Sequence, residues 1–150
     1  MKFIAKTLYG LEKVLAGELS EIGASDIIIL NRAVSFSGDE KMLYRANYCL
    51  RTALSVLVPV AGFRIKSAQE LYKKSRDIPW DKYMDSGFTF SVVPVIKSSL
   101  FSHTGYAGLL LKDAIADWFR ERTGSRPSVD VKDPGIVFNL HVSNDEVSVS

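Results

Sequence analysis

The sequence predicts two consecutive mixed α/β units. Three observations carry this. Up to about residue 60, helical apolar stripes alternate with short β-branched or aromatic runs in the order β-α-β-β-α-β. A break then falls near Phe63–Ser67, and the pattern restarts around one long helix. Finally, 47% hydrophobic and 24% charged residues over 150 positions give a globular composition, and the length is enough for one ordinary domain or two small ones sharing an interface. Residues 1–65 are therefore expected to form the first unit and 66–150 the second.

Phe3–Leu8 reads as the first strand, broken by Gly10. Leu11, Val14, Leu15, Leu19 and Ile22 then share one helical face, and Gly23 supplies a C-terminal stop. Asp26–Leu30, with three consecutive isoleucines, predicts a buried strand. Ala33–Phe36 predicts its partner, followed by turn residues Ser37-Gly38-Asp39. Asp39 is placed to cap a second helix with the stripe Met42, Leu43, Ala46, Leu50 and Ala53. Leu54–Val60 closes the unit as a strand, where Pro59 suggests an edge or a bulge. This order is the ferredoxin-like split βαβ arrangement.

In the second unit Ser67 is placed to cap a short helix ending at Ser75, and Pro79-Trp80 lies in an irregular segment. Thr89–Lys97 predicts a strand. Thr104–Arg122 predicts the longest helix, with the stripe Ala107, Leu110, Leu111, Ala114, Ile115 and Trp118, stopped by Gly124. Val129–Lys132 and Ile136–Val142 predict strands joined by the turn Asp133-Pro134-Gly135. Glu146–Ser150 alternates like a strand entering a sheet. The pattern stops there in mid-strand, so the natural protein is expected to continue.

Chemistry is harder to place. No phosphate-loop, C-x-x-C or G-x-S-x-G pattern occurs. Gly105 and Gly108 make only an isolated G-x-x-G. His103 and His141 lack a second ligand at metal spacing, so no metal site is expected. Asp113 and Asp117 sit at i and i+4, the usual pattern of a solvated helix face. No catalytic residue is assigned. Cys49 stands alone, which excludes an internal disulfide and fits a reducing compartment. No segment approaches the ~18–20 apolar residues of a membrane span, and no signal-peptide pattern opens the chain. The expected location is the cytoplasm.

The net charge of +2 cannot mark a nucleic-acid partner by itself, so any such surface must be a local patch. Arg120, Arg122, Arg126 and Lys132 cluster in sequence, and Lys97 is expected to join them. Ser102 and His103 precede a helix N-terminus, a favourable setting for phosphate. Phe101 or Tyr106 could stack on an unpaired base. Tyr44, Tyr48 and Arg51, at i, i+4 and i+7 of the second helix, could contact RNA or a further domain, or pack internally. Lys73, Lys74 and Arg76 read as a solvated helix face, and Trp80 and Trp118 as core anchors.

Several segments in order resemble one family. They are Gly10-Leu11-Glu12 with Val14-Leu15, Glu18-Leu19 and Gly23-Ala24; Val34-x-Phe36-x-Gly38; and Ala46-Asn47-x-x-Leu50-Arg51-Thr52-Ala53. They continue with Ser102-His103, Lys112-Asp113-Ala114-Ile115 with Asp117, and Arg126-Pro127-Ser128-Val129-Asp130. Together they are similar to the N-terminal region of bacterial 23S rRNA guanine-N2 methyltransferases. The resemblance implies a ferredoxin-like domain over 1–65 and a THUMP domain over 66–150. It implies that these deliver structured RNA, rRNA in preference to tRNA, to a following methyltransferase domain that uses S-adenosylmethionine. That domain is expected beyond residue 150, and the present residues are expected to hold no cofactor and to be inactive alone. With the local cluster read above, the candidate RNA-binding residues are Lys97, Ser102, His103, Tyr106, Lys112, Arg120, Arg126 and Lys132, of which the resemblance favours Lys112 and Arg126. Asp113 and Asp117 are expected to orient Lys112 or Arg126. Two alternatives stand: a THUMP module of a tRNA-modifying enzyme, and a non-RNA domain that packs on its own catalytic domain.

Overall fold

The computed structural model describes residues 1–150, which divide into two compact units, Met1–Pro59 and Val60–Ser150. Each contains its own sheet and its own apolar core.

The first unit runs β1 (Lys2–Thr7), α1 (Glu12–Glu21), β2 (Ser25–Leu30), β3 (Ala33–Ser37), α2 (Glu40–Cys49), β4 (Ala53–Leu57). The sheet order is β2-β3-β1-β4, and the three neighbouring pairs are antiparallel. This is the ferredoxin-like order: each helix carries the chain over one intervening strand. Phe3, Ala5, Val34 and Phe36 alternate along the two central strands and pack with Leu15, Leu19, Met42 and Ala46 of the helices. Asp39 caps α2 as its position requires, its carboxylate accepting from the Met42 amide at 2.8 Å. Gly23 turns the chain after α1 at φ +89°, a conformation that side chains with a Cβ rarely adopt.

One strand departs from the sequence reading. β2 is an edge strand, not a buried one. Ile28 is 53% exposed, and Ile29 and Leu30 are also exposed. Composition cannot separate an edge position from a central one, because both use β-branched residues. Pro59 lies past the end of β4, and β4 is indeed the other edge, with a register shift opposite Lys6/Thr7.

The second unit opens with a strand that the sequence reading missed. β5 (Ala61–Arg64) pairs antiparallel with β9 (Glu146–Val149), so the compact unit begins before the expected boundary at residue 65. A four-residue strand containing Gly62 is too short to show a period. Then follow α3 (Ala68–Ser75), a 3₁₀ turn at Trp80–Lys82, β6 (Thr89–Lys97), α4 (Thr104–Thr123), β7 (Ser128–Val129) and β8 (Ile136–Ser143). The sheet order is β5-β9-β8-β6-β7. β6 lies parallel to both β7 and β8, while β9 is antiparallel to β8 and β5.

The predicted stripe of α4 is the core-facing one: Ala107, Leu111, Ala114, Ile115 and Trp118 are buried, with Leu110 packed at the margin. Gly108 marks the close approach of helix to sheet, since a Cβ there would meet Pro94 Cγ of β6 at 3.3 Å. Gly124 ends the helix in the left-handed region at φ +75°. Trp80 is fully buried, donates its indole N–H to the Ser75 carbonyl at 2.9 Å and meets Phe138 edge-on at 5.2 Å.

Candidate nucleic-acid interface

The topology decides which of the suggested residues can act together. β6 ends at Lys97, and the chain passes Ser102 and His103 into α4, which returns over the sheet. After α4, Arg126 leads into β7, which pairs with the opposite end of β6, Ser128 against Thr89 and Val129 against Phe90. Asp130 N–H then donates to the Phe90 carbonyl at 3.0 Å, and Gly135 N–H to Thr89 Oγ1 at 2.9 Å. Lys132 is therefore held at that end as well.

The eight residues thus fall into two groups. Lys97, Ser102, His103 and Tyr106 gather where β6 ends and α4 starts. Arg120, Arg126 and Lys132 gather where α4 ends and β6 starts. Lys112 lies between, half-buried on the middle of α4. Seven strand residues or sixteen helix residues separate the groups, about 24 Å by either count. The expected convergence of Lys97 with Arg120, Arg126 and Lys132 fails. The reason is that parallel pairing brings β7 beside the first residues of β6 rather than the last.

At the first end the polar groups are open. Lys97, Ser102 and His103 are exposed, and Tyr106 is 44% exposed. His103 is the N-cap of α4 but makes no side-chain capping bond. Ser98 Oγ ties the loop, donating to the Asn144 carbonyl at 2.5 Å while accepting from the Leu100 amide at 3.2 Å. Phe101 is buried in the core, so of the two rings considered for stacking only Tyr106 is available.

At the other end most cations already have partners. Arg120 donates to Asp117 Oδ1 at 2.8 Å, and Tyr72 O–H donates to Asp117 Oδ2 at 2.6 Å. Arg76 is half-buried, pairs with Glu121 and stacks over the Tyr72 ring at 5.7 Å. Arg122 lies over the Trp118 ring at 4.3 Å. Arg126 and Lys132 are exposed and make no ion pair. Asp117 therefore orients Arg120 and Tyr72, not Lys112 or Arg126 as expected. Likewise Arg76 is not a solvated helix residue.

The protonation states follow from these contacts. The hydrogen bond that Tyr72 donates to Asp117, reinforced by burial, holds the phenol above its ordinary range. For Arg76, burial works against the charge, but the Tyr72 hydroxyl and Glu121 outweigh it and raise the guanidinium further. Tyr72 and Asp117 lie 45 residues apart, as do Arg76 and Glu121. No local sequence signal links such pairs.

In the first unit, Tyr44 and Tyr48 lie on the outer face of α2 and do not pack internally. α2 ends at Cys49, so Arg51 lies in the turn after the helix rather than on it. There its amide and that of Thr52 donate to the Glu18 carboxylate at 2.7 and 3.2 Å. Burial disfavours the Glu18 charge, but the Thr52 hydroxyl and these amides overcome it and lower the Glu18 pKa. Nowhere do three His, Cys, Asp or Glu side chains meet to hold a metal, and no helix is long and apolar enough to cross a membrane.

Known proteins place this architecture. Residues 2–57 match the family model described as the RlmL ferredoxin-like domain, and residues 66–150 match the THUMP domain. The chain is 35% identical over 150 residues to a ribosomal RNA large subunit methyltransferase K/L of Syntrophotalea carbinolica. That alignment covers 100% of this chain but only 21% of the relative. A solved "predicted N6-adenine-specific DNA methylase" from Listeria monocytogenes superposes with a TM-score of 0.84 at 27% identity, over 99% of this chain and 39% of its own. A 4-thiouridine synthetase in complex with RNA and ATP shares the fold at a TM-score of 0.56 and 19% identity, over 99% of this chain and 40% of its own. The chain belongs to the THUMP-domain family, with a ferredoxin-like domain of the RlmL type ahead of the THUMP domain.

Proposed function

We propose that these residues form the RNA-binding and substrate-delivery region of a cytoplasmic, S-adenosylmethionine-dependent rRNA methyltransferase. The observation that carries this reading is the unbroken match, in order, to a large-subunit rRNA methyltransferase five times as long by coverage. Catalysis is assigned to the remainder of such a protein. The turn between β6 and α4 supports that division. A methyl donor needs a loop whose backbone can close around it. Here Ser98–His103 contains no glycine, Gly108 is occupied against Pro94, and Gly105 lies inside α4. The β6–α4 turn offers the methyl donor no such loop.

Arg126 and Lys132 at one end of the THUMP unit, and Lys97 with Ser102 and His103 at the other, are its proposed phosphate contacts. An RNA that met both groups would have to span about 24 Å, so a structured element suits the site better than one isolated nucleotide. The test is titration of the 150-residue chain against fluorescein-labelled rRNA hairpins and tRNA at stepped salt. Log affinity should fall linearly with log salt, by roughly 0.9 per phosphate neutralised on duplex regions. rRNA hairpins should bind more tightly than tRNA. Failure to bind either RNA defeats the reading, and a preference for tRNA redirects it to a tRNA-modifying enzyme.

A further inference from the structure

The outer face of α2 carries two large rings that the fold does not use. Tyr44 is 75% exposed and Tyr48 is 92% exposed. They stand at i and i+4, about 6 Å apart along the axis, directly opposite the buried Met42 and Ala46. Local folding does not ask for them, because tyrosine is a poorer helix former than the Lys, Glu or Ala common on solvated faces. No aliphatic residue accompanies them, since Met42, Leu43, Ala46 and Leu50 all turn toward the core.

The surrounding charge is mainly positive. Lys41 and Arg45 share the outer arc, with Arg45 Nη1 donating to the Ile22 carbonyl at 3.1 Å, whereas Arg51, past the helix, lies beside Glu18 and Glu21 and does not add to it. Glu40 is the one carboxylate on that arc, since Asp39 is engaged with the Met42 amide. Two exposed rings flanked by cations, without an aliphatic centre, suit stacking on bases beside a phosphate chain. A protein partner would call for an apolar core around such rings.

We propose that the outer face of α2 is a stacking platform for unpaired bases of the RNA, with Tyr44 and Tyr48 as the rings and Lys41 and Arg45 as the phosphate contacts. This rests on the RNA-binding reading above and assigns part of that function to the ferredoxin-like unit. The test compares the wild-type chain with Tyr44→Ala/Tyr48→Ala and Tyr44→Phe/Tyr48→Phe. The probes are an RNA hairpin with a single-stranded tail and the same hairpin without it.

Each ring removed should weaken binding of the tailed hairpin about tenfold. The salt slope should not change, because stacking releases no counterions. The phenylalanine variant should bind like wild type, and the blunt hairpin should not distinguish the three proteins. The rings face solvent, so circular dichroism should show unchanged folding. If the alanine variant binds the tailed hairpin as wild type does, the platform is refuted and the face is left to a protein partner. If the wild-type chain binds neither hairpin, the broader RNA reading falls first and takes the platform with it.

Discussion

The two ends of α4 hold cations in different ways. Where the helix begins, Lys97, Ser102 and His103 are exposed and without ionic partners, and their positions depend on a loop tied by Ser98 and Asn144. Where it ends, Arg120, Arg122 and Arg76 are each committed to a carboxylate or a ring. Arg126 and Lys132 project freely there, as does Lys73 beside Arg76. A cation already paired with a carboxylate is a poorer phosphate ligand, because binding must displace or share the partner. The first end is therefore open and adaptable. The second is a frame of paired cations that carries a few free charges. Counting positive residues in the sequence hides that distinction.

The largest expected effect tests how the frame at the second end is anchored. Trp118 is nearly buried, packs edge-on against Phe119 at 4.9 Å and supports the Arg122 guanidinium. Trp118→Ala should cost about 3–5 kcal/mol of stability in urea unfolding, as a large core truncation does. Trp118→Leu should cost clearly less while still removing the ring beneath Arg122. If the alanine variant unfolds within about 1 kcal/mol of wild type, the frame is not anchored through the core.

The next effect separates the ends in RNA binding. Arg126→Ala/Lys132→Ala should weaken binding at low salt and flatten the salt slope by about one unit for each phosphate no longer neutralised. Lys97→Ala should remove about one unit by itself. Because the sites are about 24 Å apart, the combined variant should weaken binding by the sum of the two effects, within the error expected for distant positions. If the Arg126/Lys132 variant stays folded with unchanged affinity and slope, that end does not touch RNA. A combined effect well beyond the sum would mean that the ends are alternative sites and that one RNA does not engage both.

The smallest effect concerns protonation. The folded-state pKa of Tyr72 is raised, chiefly because the phenol donates to Asp117. The contribution to stability is complete below the unfolded phenol's ordinary value, near 10. It is lost as pH rises through the higher folded value. In an alkaline titration followed by tyrosinate absorbance, one of the six tyrosines should ionise late. Asp117→Asn should shift that late step toward the others and loosen Arg120. An unchanged titration curve would show that the Tyr72–Asp117 bond does not hold in solution.

Much of the fold is legible in the sequence because its signals are local. The α4 stripe, the stop at Gly124, the Asp39 cap and the Thr89–Lys97 strand depend on residues a few positions apart. The family segments are likewise readable in order. The site is legible only as residue types. Arg126 and Lys132 stand out along the chain as cations, but their separation from Lys97 is not visible there.

By itself, the sequence determined most of the segments that become helices or strands and which helix faces are apolar, since periodicity and capping act over one or two turns. Only the tertiary structure decided that β2 lies at an edge, that β5 joins the second sheet, and that β7 meets the start of β6. It alone also paired Arg76 with Glu121 and Tyr72 with Asp117. Strand order and cross-chain pairing depend on how whole elements pack and on which backbone groups are left unpaired. Those choices are made between segments tens of residues apart, beyond the reach of any local pattern.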